Sequence, residues 1–329
     1  MAIQPSQLAI FKAERNNDQN TNGGRSTLTK IASGVRNGIF SDLQSGSNLG
    51  GDVETRKIFI KQDINAPTNA AYNNAFVYMT AIGDPDLFID LFYGTQTDTQ
   101  AQATFDNIMV GRVTAINTGL DRMTLATLTA RDTAMKVARY RPSNGTMLVL
   151  DNAVIMKQNA TTAYLEGIAH TNFQVGDIIT EVVLFKGNEA SKPNDIQPRA
   201  HSLAITSGGT LNLNDVTFAP KAAISIDVNL TFVNTQAFNY SIPSLGLTGS
   251  GNVSTDLDVY HPDSVTNAPE NLLVSIPAIA WGGTWTNASR VSFKIESGSL
   301  PVWLRRTIAN NPSLSGQQDV NFALEYQTS

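Results

Sequence analysis

The sequence predicts a mainly β protein with a few short helices, built from antiparallel sandwich or barrel-like domains. Residues 224–232 alternate strictly between apolar and polar side chains, which predicts a strand with one buried and one wet face. Weaker copies of this pattern recur between turn-forming residues, as is typical of antiparallel sandwiches. Only 16% of the 329 residues are charged, so the polar surface depends on Asn, Thr, Ser and Gln, which suit strands and turns.

The length of the chain predicts two or three domains. Residues 1–20 are predicted to form an N-terminal arm or a short helix, because Leu8 and Phe11 lie at helical spacing after Pro5. Residues 21–190 are predicted to form a mixed β domain with one or two short helices, and residues 191–329 a β-sandwich-like domain. The boundary falls in the polar segment 187–198, which contains two prolines and no apolar periodicity.

A helix is predicted at residues 84–94. Asp84 is suited to cap it, Pro85 to occupy its first position and Gly94 to end it. Its apolar residues form one helical face: Leu87, Phe88, Leu91 and Phe92. Residues 95–105 fit either a second helix or a polar loop.

Strands are predicted over most of the remaining chain. Residues 27–40 favour two strands around Gly34 over a short helix, with Asn37-Gly38 as a turn. Residues 146–156 predict a pair of strands, and residues 173–179 predict a turn that feeds a buried strand, as in small β-barrels. The glycine-rich segment 246–251 is predicted to be a turn. Further strands are predicted at 53–64, 108–116, 123–128, 238–242, 257–260, 272–276, 291–295 and 322–326.

Composition excludes several classes of protein. The chain has no cysteine, which rules out disulfides, thiolate nucleophiles and cysteine-ligated metals. Its net charge is −5 and it has no broad basic face, so no direct nucleic-acid partner is expected. No window holds 18 consecutive apolar residues, and the first residues lack the apolar core of a secretory signal. We therefore expect no membrane contact and synthesis in a cytoplasm.

No catalytic, cofactor or metal site is predicted. The histidines His170, His201 and His261 are widely spaced and form no metal-binding pattern. Asp256 and Asp258 alternate with apolar residues, which places them on the wet face of a strand. The glycine clusters match neither a phosphate-binding loop nor a nucleophile elbow, so bulges and turns explain them better.

Aromatic and basic side chains offer two weaker candidates for binding. Trp281, Trp285 and Trp303 could form a carbohydrate platform. Trp281 and Trp285 flank a Gly-Gly-Thr segment, however, where apolar packing at a β-turn is expected. Arg139, Tyr140 and Arg141 place an aromatic ring between two cations, which suits base stacking. In an acidic chain, ordinary surface or partner contacts explain this run better.

Residues 22–63 carry a resemblance to a known family. Three motifs follow one another: Gly23-Gly24-Arg25, then Val35-x-Asn37-x-x-Phe40-x-Asp42, then Arg56-Lys57-Ile58-Phe59. Together with the predicted helix, they resemble the N-terminal region of tail proteins from contractile-tailed bacteriophages related to Mu, over about residues 8–105. The resemblance implies a structural baseplate or tail-to-baseplate connecting protein in several symmetric copies. Its partners would be copies of itself and sheath, tube or baseplate proteins, within a virion assembled in the bacterial cytoplasm.

Six residues are predicted to contact partners. Arg25, Arg56 and Lys57 would pair with carboxylates at interfaces, and intramolecular ion pairs or a solvated strand face are equally good interpretations. Phe11, Trp281 and Trp285 are the apolar candidates. A receptor- or glycan-binding tail module without enzymatic activity is the alternative function, and a fibre-like or capsid-decorating protein is a third.

Overall fold

The computed structural model of the chain describes most of its residues. The described residues are 8–32, 35, 38–41, 52–66, 72–79, 87–103, 105, 110–120, 122–129, 133–144, 146–157, 162–166, 169–181, 183–185, 188–189, 192–193, 198–308 and 322–328. Antiparallel strands dominate, and no helix in these ranges reaches seven residues. The predicted fold class is therefore confirmed.

The strands of the first two thirds of the chain are β1 (Leu8–Arg15), β2 (Gly23–Ile31), β3 (Asp52–Gln62), β4 (Tyr72–Met79), β5 (Leu87–Tyr93), β6 (Val110–Asn117), β7 (Arg122–Thr129), β8 (Thr133–Arg141), β9 (Thr146–Lys157), β10 (Thr162–Glu166), β11 (Ile178–Glu181), β12 (Val183–Phe185), β13 (Asn188–Glu189) and β14 (Lys192–Pro193).

The remaining strands are β15 (Arg199–Ile205), β16 (Thr210–Leu211), β17 (Ile226–Phe232), β18 (Ala237–Ile242), β19 (Leu247–Asn252), β20 (Leu257–Tyr260), β21 (Leu272–Ile276), β22 (Trp281–Gly282), β23 (Arg290–Glu296), β24 (Leu300–Ile308) and β25 (Phe322–Thr328). Short 3-10 helices lie at His170–Asn172, Leu213–Asp215, Pro243–Leu245, Pro269–Asn271 and Ala278–Ala280.

The first sheet has the strand order β2-β1-β3-β24-β5. Its central strand β3 is covered on both faces: Ile58 and Ile60 join the core cluster of this sheet, while Phe59 packs with Phe11 on the other side. Strand β24 pairs with β3 from Leu300 opposite Ile60 to Ile308 opposite Asp52. A strand that the sequence-based division assigns to residues 191–329 thus completes the sheet of the N-terminal strands.

Two segments for which a helix was considered are strands: the predicted helix at 84–94 is wrong, and for residues 1–20 the structure excludes the helix option but not the arm. The helix option for residues 1–20 fails because Leu8–Arg15 is strand β1, which pairs with β2 and β3. The helix at 84–94 fails because Leu87–Tyr93 is strand β5, paired with β24. Leu91 and Phe92 are adjacent and both buried, so this strand is covered on both faces. The short apolar run of such a strand has no period of two and cannot be distinguished from a helix by sequence pattern. Its predicted cap at residues 84–86 and the turn at Asn37 lie outside the described residues.

A closed barrel forms the middle of the chain, with the strand order β10-β7-β6-β11-β8-β9. The predicted turn and buried strand at 173–179 are confirmed, because Ile178 and Ile179 on β11 are buried between β6 and β8. The predicted strand pair at 146–156 is wrong. Thr146–Lys157 is one continuous strand that pairs first with β8 and then also with β10.

The second five-stranded sheet has the order β15-β23-β17-β18-β19. The predicted alternation is confirmed on β17, whose Ile226, Val228 and Leu230 lie in the core. The segment 246–251, predicted as a turn, is mostly the edge strand β19. Two of its glycines are needed for packing: a Cβ at Gly249 would lie 2.5 Å from the Tyr240 ring, and one at Gly251 would lie 2.6 Å from the Phe238 ring.

We expect Leu304→Ala to lower the free energy of unfolding by about 2–5 kcal/mol, because it opens a cavity in a fully buried site. Leu304 lies on β24 between β3 and β5, and it has no solvent exposure. Urea denaturation followed by tryptophan fluorescence measures the effect. Thr307→Ala on the same strand, at a partly buried position, is the control, and an equal loss in both variants would contradict a cavity at Leu304 as the cause.

Candidate functional site

The motif residues that suggested a partner interface converge on a buried ion pair. The Lys57 ammonium lies 2.5 Å from Asp98 Oδ1, and the Lys57 side chain has no solvent exposure. It also donates to the carbonyl oxygens of Gly24 at 2.7 Å and of Asp98 at 3.0 Å. All three ammonium hydrogens therefore have oxygen acceptors, which is the condition for burying such a charge.

Two further groups fix the carboxylate of Asp98. The indole Nε1 of Trp303 on β24 donates to Oδ2 at 2.7 Å, and the backbone N–H of Thr95 donates to Oδ1 at 3.0 Å. The backbone N–H of Gly24 donates to the Asp98 carbonyl at 2.9 Å. The ion pair thus joins β2, β3, β24 and the loop after β5.

Glycine is required where this loop meets β2. Gly23 has φ +95°, in the left-handed region that glycine favours, and a Cβ there would lie 2.6 Å from the Trp303 ring. The neighbouring Asn22 is fully buried and donates to the Thr55 carbonyl at 2.7 Å. The Gly23-Gly24 motif thus has a packing role in this chain.

Burial lowers the pKa of Lys57 to about 8, although the charge and hydrogen bond of Asp98 oppose the shift. The lysine is therefore mainly charged at neutral pH, in agreement with its three acceptors. The direction of the shift shows that desolvation outweighs the pairing, as is common for buried ion pairs.

The two arginines among the candidates also have partners within the chain. Arg25 on β2 makes two hydrogen bonds to Asp227 on β17, at 2.6 and 3.2 Å, and both side chains remain partly exposed. Arg56 is buried and pairs with Asp18, whose carboxylate is half-exposed. The intramolecular interpretation of Arg25, Arg56 and Lys57 is therefore the one that matches their contacts.

A second buried lysine lies where the first sheet meets the second. Lys61 Nζ donates to the Ala223 carbonyl at 3.2 Å and lies 5.1 Å from the centre of the Phe11 ring. Burial lowers the pKa of Lys61 to about 7. Phe11, predicted to contact partners, is only 3% exposed and packs against Phe59 instead.

His261 lies close to this lysine and is buried. Its Nδ1 accepts a hydrogen bond from the Asp263 backbone N–H at 3.1 Å, so this nitrogen carries no proton. Burial, and then the positive charges of Lys61 and Lys30, lower the pKa of His261 to about 4, against the opposing charge of Asp63. His261 is thus a neutral structural side chain at physiological pH.

The tryptophans pack in the core of the second sheet. The Trp285 ring stacks on Phe232 at a centroid distance of 4.3 Å, and Trp281 meets Trp285 edge-on at 5.7 Å. The expectation of apolar packing is confirmed for both. The indole N–H of Trp281 is buried and has no acceptor among the described residues, so it is not presented to an external ligand.

The basic run at 139–141 is held within the barrel. Arg139 and Arg141 both donate to the Asn172 carbonyl, and Arg141 also makes two hydrogen bonds of 2.9 Å to the buried carboxylate of Asp177. Contacts within the chain therefore orient both arginines, without an external phosphate or base.

The described part of the chain contains no group of three His, Asp or Glu side chains placed to hold a metal ion. Asp256 and Asp258, the paired carboxylates near β20, accept hydrogen bonds from the Ala278 N–H and the Ser275 hydroxyl. Among the described helices, none has the length and apolar character needed to cross a membrane.

The sequence selected Lys57 but gave no signal for Asp98, and it suggested Trp303 for a carbohydrate platform and not as a partner of Asp98. Asp98 lies in a polar segment, residues 95–103, whose threonines and glutamines give no signal for a buried carboxylate. Trp303 lies on β24, far along the chain, and only the strand pairing brings it to Lys57.

A scan against protein-family models, a search of curated proteins and a search of solved structures each found no match to this chain.

We expect Lys57→Met to destabilise the protein by about 3–5 kcal/mol, because it leaves the Asp98 carboxylate buried without its cation. The double variant Lys57→Met/Asp98→Asn should lose less than the sum of the single variants, with a coupling of about 0.5–3 kcal/mol. Chemical denaturation of all four proteins measures the cycle. Arg25→Met removes a partly exposed pair and serves as the control, and additive losses at Lys57 and Asp98 would contradict a coupled pair.

We expect stability to fall as the pH drops from about 6.5 to 4 because of His261. Its folded pKa is about 4 and its unfolded value 6.5, so the unfolded chain binds the extra proton first in this window. His261→Asn keeps an acceptor for the Asp263 N–H but does not titrate. Thermal melts across this pH range should show a shallower decline for the variant, and identical slopes would show that His261 is not buried as a neutral group.

Proposed function

We propose that the protein is a structural component of a bacteriophage tail, at the baseplate or between tail and baseplate, and that it works through protein–protein contacts. The proposal rests on the resemblance of residues 8–105 to tail proteins of Mu-like contractile phages. It concerns copies of this chain and sheath, tube or baseplate proteins as partners, in a virion assembled in the bacterial cytoplasm.

One observation in the structure supports a structural role most directly. The residues that carry the resemblance, Gly23, Gly24 and Lys57, are assembled into the buried ion pair that joins β2, β3 and β24. A motif that is conspicuous in the sequence therefore stabilises the fold and presents no reactive group. The three histidines do not form a shared site: His201 lies beside Glu296, His261 accepts a hydrogen bond from the Asp263 N–H, and His170 begins a 3-10 helix.

The candidate interface residues contribute unequally to this proposal. Lys57, Phe11 and Trp285 are buried within their own chain and have no surface to offer a partner. Arg25 keeps about a quarter of its side-chain surface and Trp281 is partly exposed, so these two retain a possible place at an interface. Arg56 is buried, but its partner Asp18 is half-exposed.

The alternative of a glycan-binding module has less support. Carbohydrate platforms need an exposed aromatic face, and the ring of Trp285 is enclosed between Phe232 and the backbone at Gly209. Trp281 lies edge-on to it and belongs to the same core. A sugar-binding role could therefore not use Trp285, and Trp281 would offer only the part of its ring that is not packed in this core.

Light scattering after size exclusion, with negative-stain imaging of the same peak, tests the proposal. We expect a concentration-dependent oligomer with cyclic symmetry and no turnover of cell-wall or glycan substrates, because the proposed role is one of contact. Reproducible hydrolysis of such substrates would contradict it. A strictly monomeric chain that binds a glycan array would also contradict it and would favour the alternative.

A further inference from the structure

We propose that strand β19 pairs with β19 of a second copy of this chain, in antiparallel register centred on Ser250, so that two second sheets become one continuous sheet. This inference rests on the proposed function, because it names one contact of a protein that assembles with itself.

Strand β19 is an edge that lacks the usual protection. It pairs with β18 over its whole length, from Ala237 opposite Asn252 to Ile242 opposite Leu247, and no described strand pairs with its other side. Its sequence is Leu-Thr-Gly-Ser-Gly-Asn, without charge or proline. Exposed edges of this kind invite another strand, because one row of backbone donors and acceptors faces outward.

The opposite edge of the same sheet is built differently. Strand β15 carries Arg199, which forms an ion pair with Glu296, and its pairing with β23 is interrupted by a register shift between His201 and Ala204. Ser202, inside that irregularity, has φ +56°. Charges and bulges are devices that prevent edge pairing, so the sheet has one closed edge and one open edge.

Charge explains why the occupant is a second copy. Residues 228–255 contain no Lys, Arg, Asp or Glu, although the chain as a whole carries a net charge of −5. Two copies therefore meet with the least mutual repulsion at this part of their surface. The outward side chains near the edge are also uncharged and exposed: Thr231, Asn239, Thr248 and Ser250.

The side chains select the register. Continuity of the sheet requires paired residues to point to the same face, and centring on Ser250 pairs Thr248 with Asn252 and Ser250 with itself on the outer face. Hydroxyl and amide pairs of this kind stabilise antiparallel strands. On the inner face, Leu247 would meet Val253, and both already pack against the core of the second sheet.

A cysteine introduced at position 250 tests this register, and the natural chain has no cysteine to confuse the result. In the proposed pair, two Ser250→Cys side chains face each other with Cβ atoms about 4.5–5.5 Å apart, close enough to form a disulfide with small adjustment. The full-length variant is oxidised over a concentration series and analysed on non-reducing gels, with sedimentation velocity on the reduced protein.

We expect Ser250→Cys to form a disulfide-linked dimer about tenfold or more faster than Thr231→Cys, because pairing raises the effective concentration of the thiols. Thr231 is the matched control: it is exposed on the outer face of the same sheet, on β17, two strands from the edge. A mixture of Thr248→Cys with Asn252→Cys should also crosslink, whereas either variant alone should crosslink less. Ser250→Lys should weaken self-association in sedimentation, and Thr231→Lys should not.

Equal crosslinking of the position 250 and position 231 variants would overturn the inference. If the chain still forms oligomers in that case, the proposed function stands and another surface makes the contact. If the chain neither crosslinks nor self-associates, the β19 pairing is wrong, and its proposed assembly with other tail proteins is then tested by adding those proteins.

Discussion

The burial of the Lys57 ammonium is the constraint on which the first sheet depends. A charge without water needs an oxygen acceptor for each of its hydrogens, and Lys57 finds them on Asp98 and on the Gly24 carbonyl. Asp98 is held in turn by Trp303, which arrives on β24 from near the end of the chain. Breaking such a pair costs more than its formation contributes, since the remaining charge stays buried. The arrangement therefore specifies which strands and loops must be in place together, and glycine at position 23 is what allows the tryptophan to approach.

Charged side chains also make internal contacts where the two five-stranded sheets meet. Lys61 of the first sheet donates to the Ala223 carbonyl, Lys221 donates to the Ala66 carbonyl, and Arg25 pairs with Asp227. The ammonium groups of Lys61 and Lys221 are buried, and each donates to a backbone carbonyl. For Lys61, desolvation outweighs the opposing charges of Asp63 and Asp263, and its pKa falls to about 7. A chain with few charges thus uses several of them as internal connectors, and its outer surface depends on amides and hydroxyls.

The alternation of residues 224–232 predicted β17 correctly, because this strand has one wet face. The mixed pattern of residues 53–64 predicted β3, although β3 is covered on both faces. The sequence pattern failed on β5, where both faces are covered and the apolar run lost its period, and on β1, where pairing overrides a local pattern that also fits a helix. It failed on β19 because glycine usually marks a turn, whereas here it leaves room for the Tyr240 and Phe238 rings. The candidate site was predictable only in part: Lys57 lies in a recognisable motif, but its partners come from segments whose approach depends on tertiary pairing.

The two edges of the second sheet differ in charge and in the regularity of their strands. At β15, the ion pair between Arg199 and Glu296 and a bulge make the edge irregular, and a strand laid beside it would have to displace these charged side chains. At β19, the glycines that accommodate Tyr240 and Phe238 also leave the backbone with little side-chain cover. Packing of the interior and openness of the edge therefore arise from the same residues.

Recognition at such an edge depends on main-chain hydrogen bonds and on register more than on charge, so it is less sensitive to salt than an ionic interface. In the proposed pair, the two neutral β19 edges meet and only the charged, irregular β15 edges remain outside. The pairing would therefore stop at two copies.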